Sequence, residues 1–178
     1  MQQVGNNQRI VNLSGLLEGL SEAGIEFIVV GGLAAVIQGA PVTTIDLDIV
    51  HHQNTENIRK LMDFLKQTEA YYRRPDDKII QPDERDLAAK GHILLSTNLG
   101  PLDILAFVEN GYSYQDIFPN SAEIEFRGCK IRVLELKTMI ELKHHSKNPK
   151  DLFRLPMLEE TLRQKISAAN SKSKGSEK

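Results

Sequence analysis

The sequence has little of the features that would assign it to a specialised class. One cysteine, Cys129, occurs in 178 residues, so an internal disulfide is excluded. Lys and Arg number 22 against 24 Asp and Glu, a formal net charge of −2. With charges this balanced, no global field draws the protein to nucleic acid or to an anionic membrane. Any site for a polyanion must therefore be local.

Long hydrophobic runs are also scarce. The longest, Phe27 to Ile37, contains two glycines and is well short of the ~20 residues that a membrane helix needs. The first residues do not resemble a secretory signal. We therefore expect a cytoplasmic protein without a membrane segment.

The hydrophobic content, in contrast, is 40%, which suffices for a sizeable core in a chain of this length. We expect one domain over residues 1–168, with a core at about 10–135 and C-terminal helices at about 135–168. The tail 169–178 is rich in Ser and Lys and is expected to be disordered.

Hydrophobic periodicity and turn residues predict an α/β fold with a mixed sheet of four or five strands. Most of the polar stretch 71–90 is predicted to be loop. Helices are predicted over Ile10–Leu20, Leu33–Ile37, a segment capped by Asn54 or Thr55, a segment starting at Leu136, and Pro149–Ser167. Strands are predicted over Phe27–Val30, Thr43–Val50, His92–Ser96, Leu102–Phe107, Ala122–Phe126 and Lys130–Leu134.

The segment TTIDLDIV reads as a strand with two carboxylates in it. On a strand, Asp46 and Asp48 project from one face, while Ile45, Leu47 and Ile49 face the opposite side. Two such carboxylates repel each other and are costly to desolvate unless cations or donors compensate. A divalent metal would provide that compensation.

Mg²⁺ suits this arrangement because it prefers oxygen ligands and binds through one or two carboxylates plus substrate phosphates. Asp103, flanked by aliphatic residues on its own strand, would complete an acidic triad if the two strands pair. The alternative is that each Asp is solvated, or ion-paired, at an exposed strand edge. Gly31-Gly32, between a strand and a helix, favours the metal hypothesis because amides at a helix N-terminus bind phosphate.

The block FIVVGGLAAVIQGAPVTTIDLDIV resembles the nucleotidyltransferase superfamily that includes DNA polymerase β, and in particular its minimal toxin-type (AbiEii-like) members. Their pattern is an apolar strand, a Gly-Gly or Gly-Ser pair at a helix start, and D-x-D on a strand, with a third carboxylate on a later strand. The segment LELKTMIELKHHSKNPKDLFRL resembles their C-terminal helices. The likeness covers roughly residues 10 to 168 and implies the nucleotidyltransferase fold.

The resemblance also implies a reaction, in which a nucleotidyl group passes from a nucleoside triphosphate to an acceptor hydroxyl and pyrophosphate is released. Asp46 and Asp48 would hold two Mg²⁺ ions, and Asp103 would help hold the ion that activates the acceptor. Gly31 and Gly32 would hold the β and γ phosphates. Lys143 and Lys150 are candidates for further phosphate contacts, with solvated helix charges as the alternative for both.

The sequence departs from the family pattern at Leu33, where relatives have a hydroxyl residue, and at three positions that concern charge. Many toxin-type relatives have a basic residue where this chain has Val42 and an arginine where it has Asn148. Arg154 occupies a position at which relatives often have a second Asp. The resemblance therefore predicts an intact acidic triad with fewer cations around it.

The acceptor is open at this level: toxin-type relatives suggest RNA, tRNA ends or a protein hydroxyl, and other branches modify small molecules. The competing hypothesis is a non-catalytic nucleotide- or partner-binding protein, such as one component of a toxin–antitoxin pair.

Two weaker signals are the Tyr71–Arg74 segment and the pair His51-His52. The Tyr71–Arg74 segment could stack on single-stranded nucleic acid, but the simpler interpretation is a surface strand or turn. Adjacent histidines diverge, so we expect solvent or rim positions for them instead of a metal site.

Overall fold

The computed structural model describes residues 11–76, 78–146 and 148–175, and this part of the chain contains seven α-helices and seven β-strands. The helices are α1 Leu13–Glu22, α2 Gly31–Ile37, α3 Thr55–Gln67, α4 Glu84–Ala88, α5 Tyr114–Ile117, α6 Leu136–His144 and α7 Pro149–Gly175. The strands are β1 Phe27–Val30, β2 Leu47–His51, β3 Tyr71–Tyr72, β4 His92–Ser96, β5 Pro101–Leu105, β6 Ser121–Phe126 and β7 Cys129–Leu134.

All seven strands form one sheet in the order β3-β4-β5-β2-β1-β7-β6. β2 runs parallel to β5 and β1 runs parallel to β7, while the other neighbouring pairs are antiparallel. The predicted α/β class and mixed sheet are confirmed. The sheet has more strands than the four or five expected, because β3 is too short to show a period and the β6-β7 hairpin joins β1 through a long-range pairing.

The core lies under the two central strands. Leu47 and Ile49 on β2, and Leu102 and Ile104 on β5, are at most 1% exposed and belong to the same hydrophobic cluster as the buried leucines of α1 and α3. Side chains alternate along a strand, so the residues between these positions face the other side of the sheet. That alternation decides which face of β2 and β5 carries polar groups.

The predicted D-x-D strand begins later than expected. β2 starts at Leu47, and residues 43–46 form a loop in which Ile45 is 71% exposed. The prediction that Ile45 shares a strand face with Leu47 and Ile49 is therefore wrong. Pairing with β1 starts at Asp48 opposite Val30, where β1 ends and the chain turns into α2. Leu47 pairs with Leu102 on β5, and the residues before Leu47 have no partner among the described strands, so they stay outside the sheet.

Helix boundaries follow local capping signals. The Asn12 side chain accepts a hydrogen bond from Gly15 N at 2.9 Å and starts α1, and Asn54 caps α3 as one of the two residues predicted to do so. The predicted start of the first helix, Ile10, lies outside the described residues. A capping box at Asp83 and Asp86 starts the short helix α4 within the stretch predicted to be mostly loop.

The C-terminal helix α7 is longer than predicted. Residues 169–175, expected to be disordered, continue the helix to Gly175, since extending an existing helix costs far less than starting one. The rest of the predicted tail, residues 176–178, lies outside the described residues. In the described part of the chain, no helix has both the length and the apolar character needed to cross a membrane.

Candidate active site

The two central strands bring two of the predicted carboxylates side by side. Asp48 on β2 and Asp103 on β5 are direct register partners in the parallel pair. Neighbouring strands are about 4.8 Å apart, and residues in register share a face. The structure therefore places Asp48 and Asp103 next to each other, on the face opposite the core residues Leu47 and Leu102.

The third predicted carboxylate, Asp46, lies in the loop just before β2. Its Oδ1 accepts a hydrogen bond of 2.7 Å from Thr44 Oγ1. The charge of Asp46 raises the pKa of both Asp48 and Asp103, so it lies within electrostatic reach of the pair. Asp46 therefore acts electrostatically on the Asp48–Asp103 pair, although it lies on a loop instead of the strand.

The Gly31-Gly32 turn packs directly against these acids. Gly31 has φ +65°, and a Cβ there would lie 2.2 Å from Asp48 Oδ2. A Cβ on Gly32 would lie 2.8 Å from Thr44 Oγ1. Both positions thus require glycine for close approach, which is a packing reason that the sequence did not reveal. Among the described residues, no side chain caps the N-terminus of α2, so its first amides are not taken up by a cap.

Burial and mutual repulsion make it energetically costly for these acids to be ionised. Burial, followed by the charges of Asp46 and Asp103, raises the pKa of Asp48 to about 7, against the opposing charges of Lys143 and Arg73. Burial also raises the pKa of Asp103, against the attraction of Arg73. A carboxylate with so high a pKa has too little compensating positive charge around it. Perturbed carboxylates of this kind are typical of functional sites.

Arg73 is a site residue that the sequence analysis missed. Its Nη2 donates to Asp103 Oδ1 in an ion pair, although the two residues are 30 positions apart in the chain. Arg73 lies just past the end of β3, at the sheet edge. Only the pairing of β3 with β4, and of β4 with β5, brings it to the acid. The sequence signal was an arginine in a segment read as surface strand or turn.

Lys143 lies on α6 and lines the same site, but it has its own counter-ions. Its Nζ donates to Asp151 Oδ1 and lies 3.7 Å from Glu109 Oε1. Burial opposes ionisation of Asp151, but the hydrogen bonds from Lys143 and Ser146 outweigh it and lower the pKa of Asp151. Lys143 is therefore held in place by acids while its charge still acts on Asp48.

Arg154 on α7 adds a second cation near the glycine turn. Its Nη2 donates to Thr43 O at 3.2 Å, across 111 positions of the chain, and its Nη1 lies 3.5 Å from the position of a Cβ on Gly32. Lys150, the other predicted lysine, is exposed in the first turn of α7. A basic residue is thus present near Val42, but a distant helix supplies it.

Several of these groups line a cavity of about 520 Å³, within the usual range for small-molecule sites. Its lining includes Gly31, Gly32, Asp48, Lys143, Lys150 and Arg154, together with Val42 and Asn148. Asp46 and Asp103 are not among the lining residues. The cavity therefore joins the glycine turn, one acid of the predicted triad and the cations of α6 and α7.

The donor chemistry at this site fits a divalent cation, because three carboxylates supply the oxygen ligands that Mg²⁺ prefers. The ligand types fit a metal ion, but their positions do not. Among the described residues, no three His, Cys, Asp or Glu side chains are grouped closely enough to hold a metal ion. Two of the three acids are engaged by other side chains. Asp103 is paired with Arg73, and Asp46 accepts from Thr44.

The weaker sequence signals lie elsewhere. His51 is buried, and its Nε2 lies 3.0 Å from Leu87 O, so the expectation of a rim position is wrong for it. His52 stacks on Tyr114 with ring centroids 4.9 Å apart. Tyr71 and Tyr72 form the edge strand β3, in agreement with the simpler interpretation of that segment.

Comparison with known proteins identifies the fold. No protein-family model matches the chain, and no curated protein matches it. Solved structures do match. The lincosamide antibiotic adenylyltransferase LnuA, bound to lincomycin, has a TM-score of 0.55 and 15% identity over 83% of this chain and 94% of its own. The chain has the nucleotidyltransferase fold.

Two further structures agree with this fold. ANT(2'')-Ia in complex with adenylyl-2''-tobramycin has a TM-score of 0.53 and 13% identity over 92% of this chain and 95% of its own. TM1012 from Thermotoga maritima, a proposed nucleotidyltransferase, has a TM-score of 0.50 and 18% identity over 92% and 99%. The predicted nucleotidyltransferase fold is confirmed, while the toxin-type (AbiEii-like) subtype stays a prediction.

Proposed function

We propose that this protein transfers a nucleotidyl group from a nucleoside triphosphate to an acceptor hydroxyl in a Mg²⁺-dependent reaction. The observation that carries the proposal is the register pairing of Asp48 with Asp103, beside a cavity that also contains Gly31, Gly32 and basic side chains. Acids, a glycine turn and cations have separate uses in such a reaction, and the nucleotidyltransferase fold of the neighbours supports it.

In the proposed reaction, the acceptor oxygen forms a bond to the α-phosphorus, the bond from that phosphorus to the bridging oxygen breaks, and pyrophosphate leaves. Two Mg²⁺ ions, held by Asp46, Asp48 and Asp103, would neutralise phosphate charge and stabilise the attacking and leaving oxygens. Asp103 would accept the proton of the acceptor hydroxyl.

The remaining residues would bind the triphosphate. Gly31 and Gly32 lack a Cβ, so the backbone amides at the start of α2 can approach a phosphate closely. Arg154 lies beside this turn and would contact the same phosphates through its planar guanidinium. Lys143 on α6 would place positive charge near the triphosphate, and Lys150 would contact it from the exposed edge of the cavity.

The acceptor and partner classes follow from the resemblance and the neighbours. RNA, tRNA ends and a protein hydroxyl are the proposed acceptors for a toxin-type protein, with a cognate toxin or antitoxin as protein partner. Two neighbours carry lincomycin and adenylyl-2''-tobramycin, so a small molecule is the further class to test.

One observation favours a second candidate, a protein that binds nucleotide or a partner without turnover. Asp103 is paired with Arg73, and Lys143 with Asp151, so two charged groups of the site are already neutralised within the chain. A protein that no longer catalyses the reaction could keep these ion pairs, because no substrate or metal ion would need the charged groups.

The test uses α-labelled nucleoside triphosphates with Mg²⁺ and, in turn, total RNA, a protein extract and a small-molecule acceptor. Wild type is compared with Asp48→Asn and with Asp63→Asn, an exposed carboxylate on α3. We expect label transfer by wild type and by Asp63→Asn, and a loss of roughly 10²–10³-fold in Asp48→Asn. Nucleotide binding without label transfer in all three would favour the non-catalytic candidate.

A further inference from the structure

We propose that Arg73 is a built-in counter-ion that holds Asp103 away from the metal centre until a divalent cation displaces it. This inference rests on the proposed function, since it concerns how the third carboxylate becomes available. It adds a residue that the sequence pattern did not indicate.

Arg73 is placed by the sheet. Its backbone N donates to Leu94 O at 2.8 Å, which continues the antiparallel β3-β4 ladder by one residue. Leu94 is the register partner of Asp103, and Asp103 is the partner of Asp48. Arg73, Leu94, Asp103 and Asp48 therefore form one transverse row. Backbone pairing across the sheet thus fixes where the Arg73 side chain starts.

The ion pair is partly shielded from water. The Asp103 side chain is 11% exposed and that of Arg73 is 32% exposed, whereas the neighbouring arginine, Arg74, pairs with Asp76 in an exposed position. Opposite charges attract more strongly where water screens them less. The Arg73 pair is thus the stronger of the two arginine pairs in this segment.

A divalent cation and Arg73 compete for the same carboxylate. Both carry positive charge, so they repel each other at contact distances, and Asp103 Oδ1 is already an acceptor for Arg73. Arg73 has room to move, because the residues that follow it, Arg74, Pro75 and Asp76, are exposed. Its side chain can swing into solvent without opening the core. Release of Arg73 is therefore coupled to occupation of Asp103.

The experiment measures Mn²⁺ binding by the loss of the free-ion electron paramagnetic resonance signal, without nucleotide. Wild type is compared with Arg73→Gln, which removes the charge, with Arg73→Lys, which keeps it, and with the control Arg74→Gln. Thermal melts confirm that each variant is folded. We expect Arg73→Gln to bind Mn²⁺ about tenfold or more tightly than wild type, equivalent to ~1.4 kcal/mol, and the other two variants to resemble wild type.

The double variant Arg73→Gln/Asp103→Asn should lose this gain, because the freed carboxylate is then missing. If Arg73→Gln binds Mn²⁺ as wild type does, or more weakly, the inference is overturned and Arg73 only orients Asp103, while the proposed function stands. If neither wild type nor Arg73→Gln binds Mn²⁺, the metal-dependent function itself fails and the inference fails with it.

Discussion

The acidic and the cationic sides of the candidate active site are built in different ways. On the acidic side, Asp48 and Asp103 are fixed by strand register and buried next to each other at an energetic cost. On the cationic side, Lys143 and Arg154 come from α6 and α7, and acids or backbone oxygens of the same chain hold them. The acids lack sufficient counter-charge, and the nearby cations are already partly neutralised.

This difference indicates which interactions would supply the free energy of ligand binding. A ligand that brings positive charge relieves the repulsion around Asp48, so binding there is favoured by the fold itself. A ligand that brings phosphate must share Lys143 with Asp151 and Glu109. We therefore expect metal binding to depend strongly on the acidic side and nucleotide binding to depend on Arg154, which donates to a backbone oxygen instead of a carboxylate.

The largest effect is expected from Gly31→Ala, which disturbs the acidic side. A Cβ there would lie 2.2 Å from Asp48 Oδ2, and φ is +65°. The strain of a left-handed backbone and the displacement of the carboxylate should together lower the free energy of unfolding by about 3 kcal/mol. At this chain length a loss of about 1 kcal/mol lowers Tm by about 2–4 °C, so thermal melts will detect it.

Gly39→Ala is the matched control for that substitution. Its φ is +92°, with no described atom within 4 Å of an added Cβ, so it should show the backbone strain of about 1 kcal/mol alone. Equal destabilisation by the two substitutions would show that contact with Asp48 does not limit residue 31.

The next effect tests the cationic side. Arg154→Ala should weaken binding of a nucleoside triphosphate about tenfold, since a charged hydrogen bond contributes roughly 1.5–3 kcal/mol. Calorimetric titration with a non-hydrolysable analogue measures it. Arg163→Ala on the same helix, where the side chain is 76% exposed, is the control and should bind like wild type. A loss of similar size in both variants would remove Arg154 from the site.

The smallest expected effect is a change in how the free energy of unfolding depends on pH, which arises from the buried Asp48 carboxyl group. The pKa of Asp48 is about 7 in the folded protein, against 3.8 as its ordinary value. Between these values the folded state keeps a proton that the unfolded state has lost, so this group makes stability fall as pH rises from about 4 to 7. Asp46, Asp103, Lys143 and Arg73 are the charged groups that act on it.

Asp48→Asn removes that dependence. In EDTA, the variant should match wild type near pH 4 and exceed it by on the order of 1 kcal/mol at about pH 7.5, a value discounted for partial solvent access. Thermal melts across this pH range measure the difference. A variant that is less stable than wild type at the upper end of the range would show that the Asp48 carboxylate is satisfied in the folded protein, against the comparison drawn above.

Several local features were predictable because they depend on neighbours in the chain. The strand Phe27–Val30, the helix that follows the Gly31-Gly32 pair and the strands that form the β4-β5 and β6-β7 hairpins are confirmed. The start of β2 was not predictable, because it depends on pairing with other strands, of Leu47 with Leu102 and of Asp48 with Val30. The position of Asp46 on a loop follows from the same fact.

The sequence by itself determined the chemistry: three carboxylates, a glycine pair and a set of lysines in an order that resembles one superfamily. The tertiary structure decided which of them meet. The β5-β2 pairing places Asp103 beside Asp48, the edge strands place Arg73 on Asp103, and α7 places Arg154 at the glycine turn. These contacts join residues far apart in the chain, and they depend on strand register and packing, which local sequence patterns do not specify.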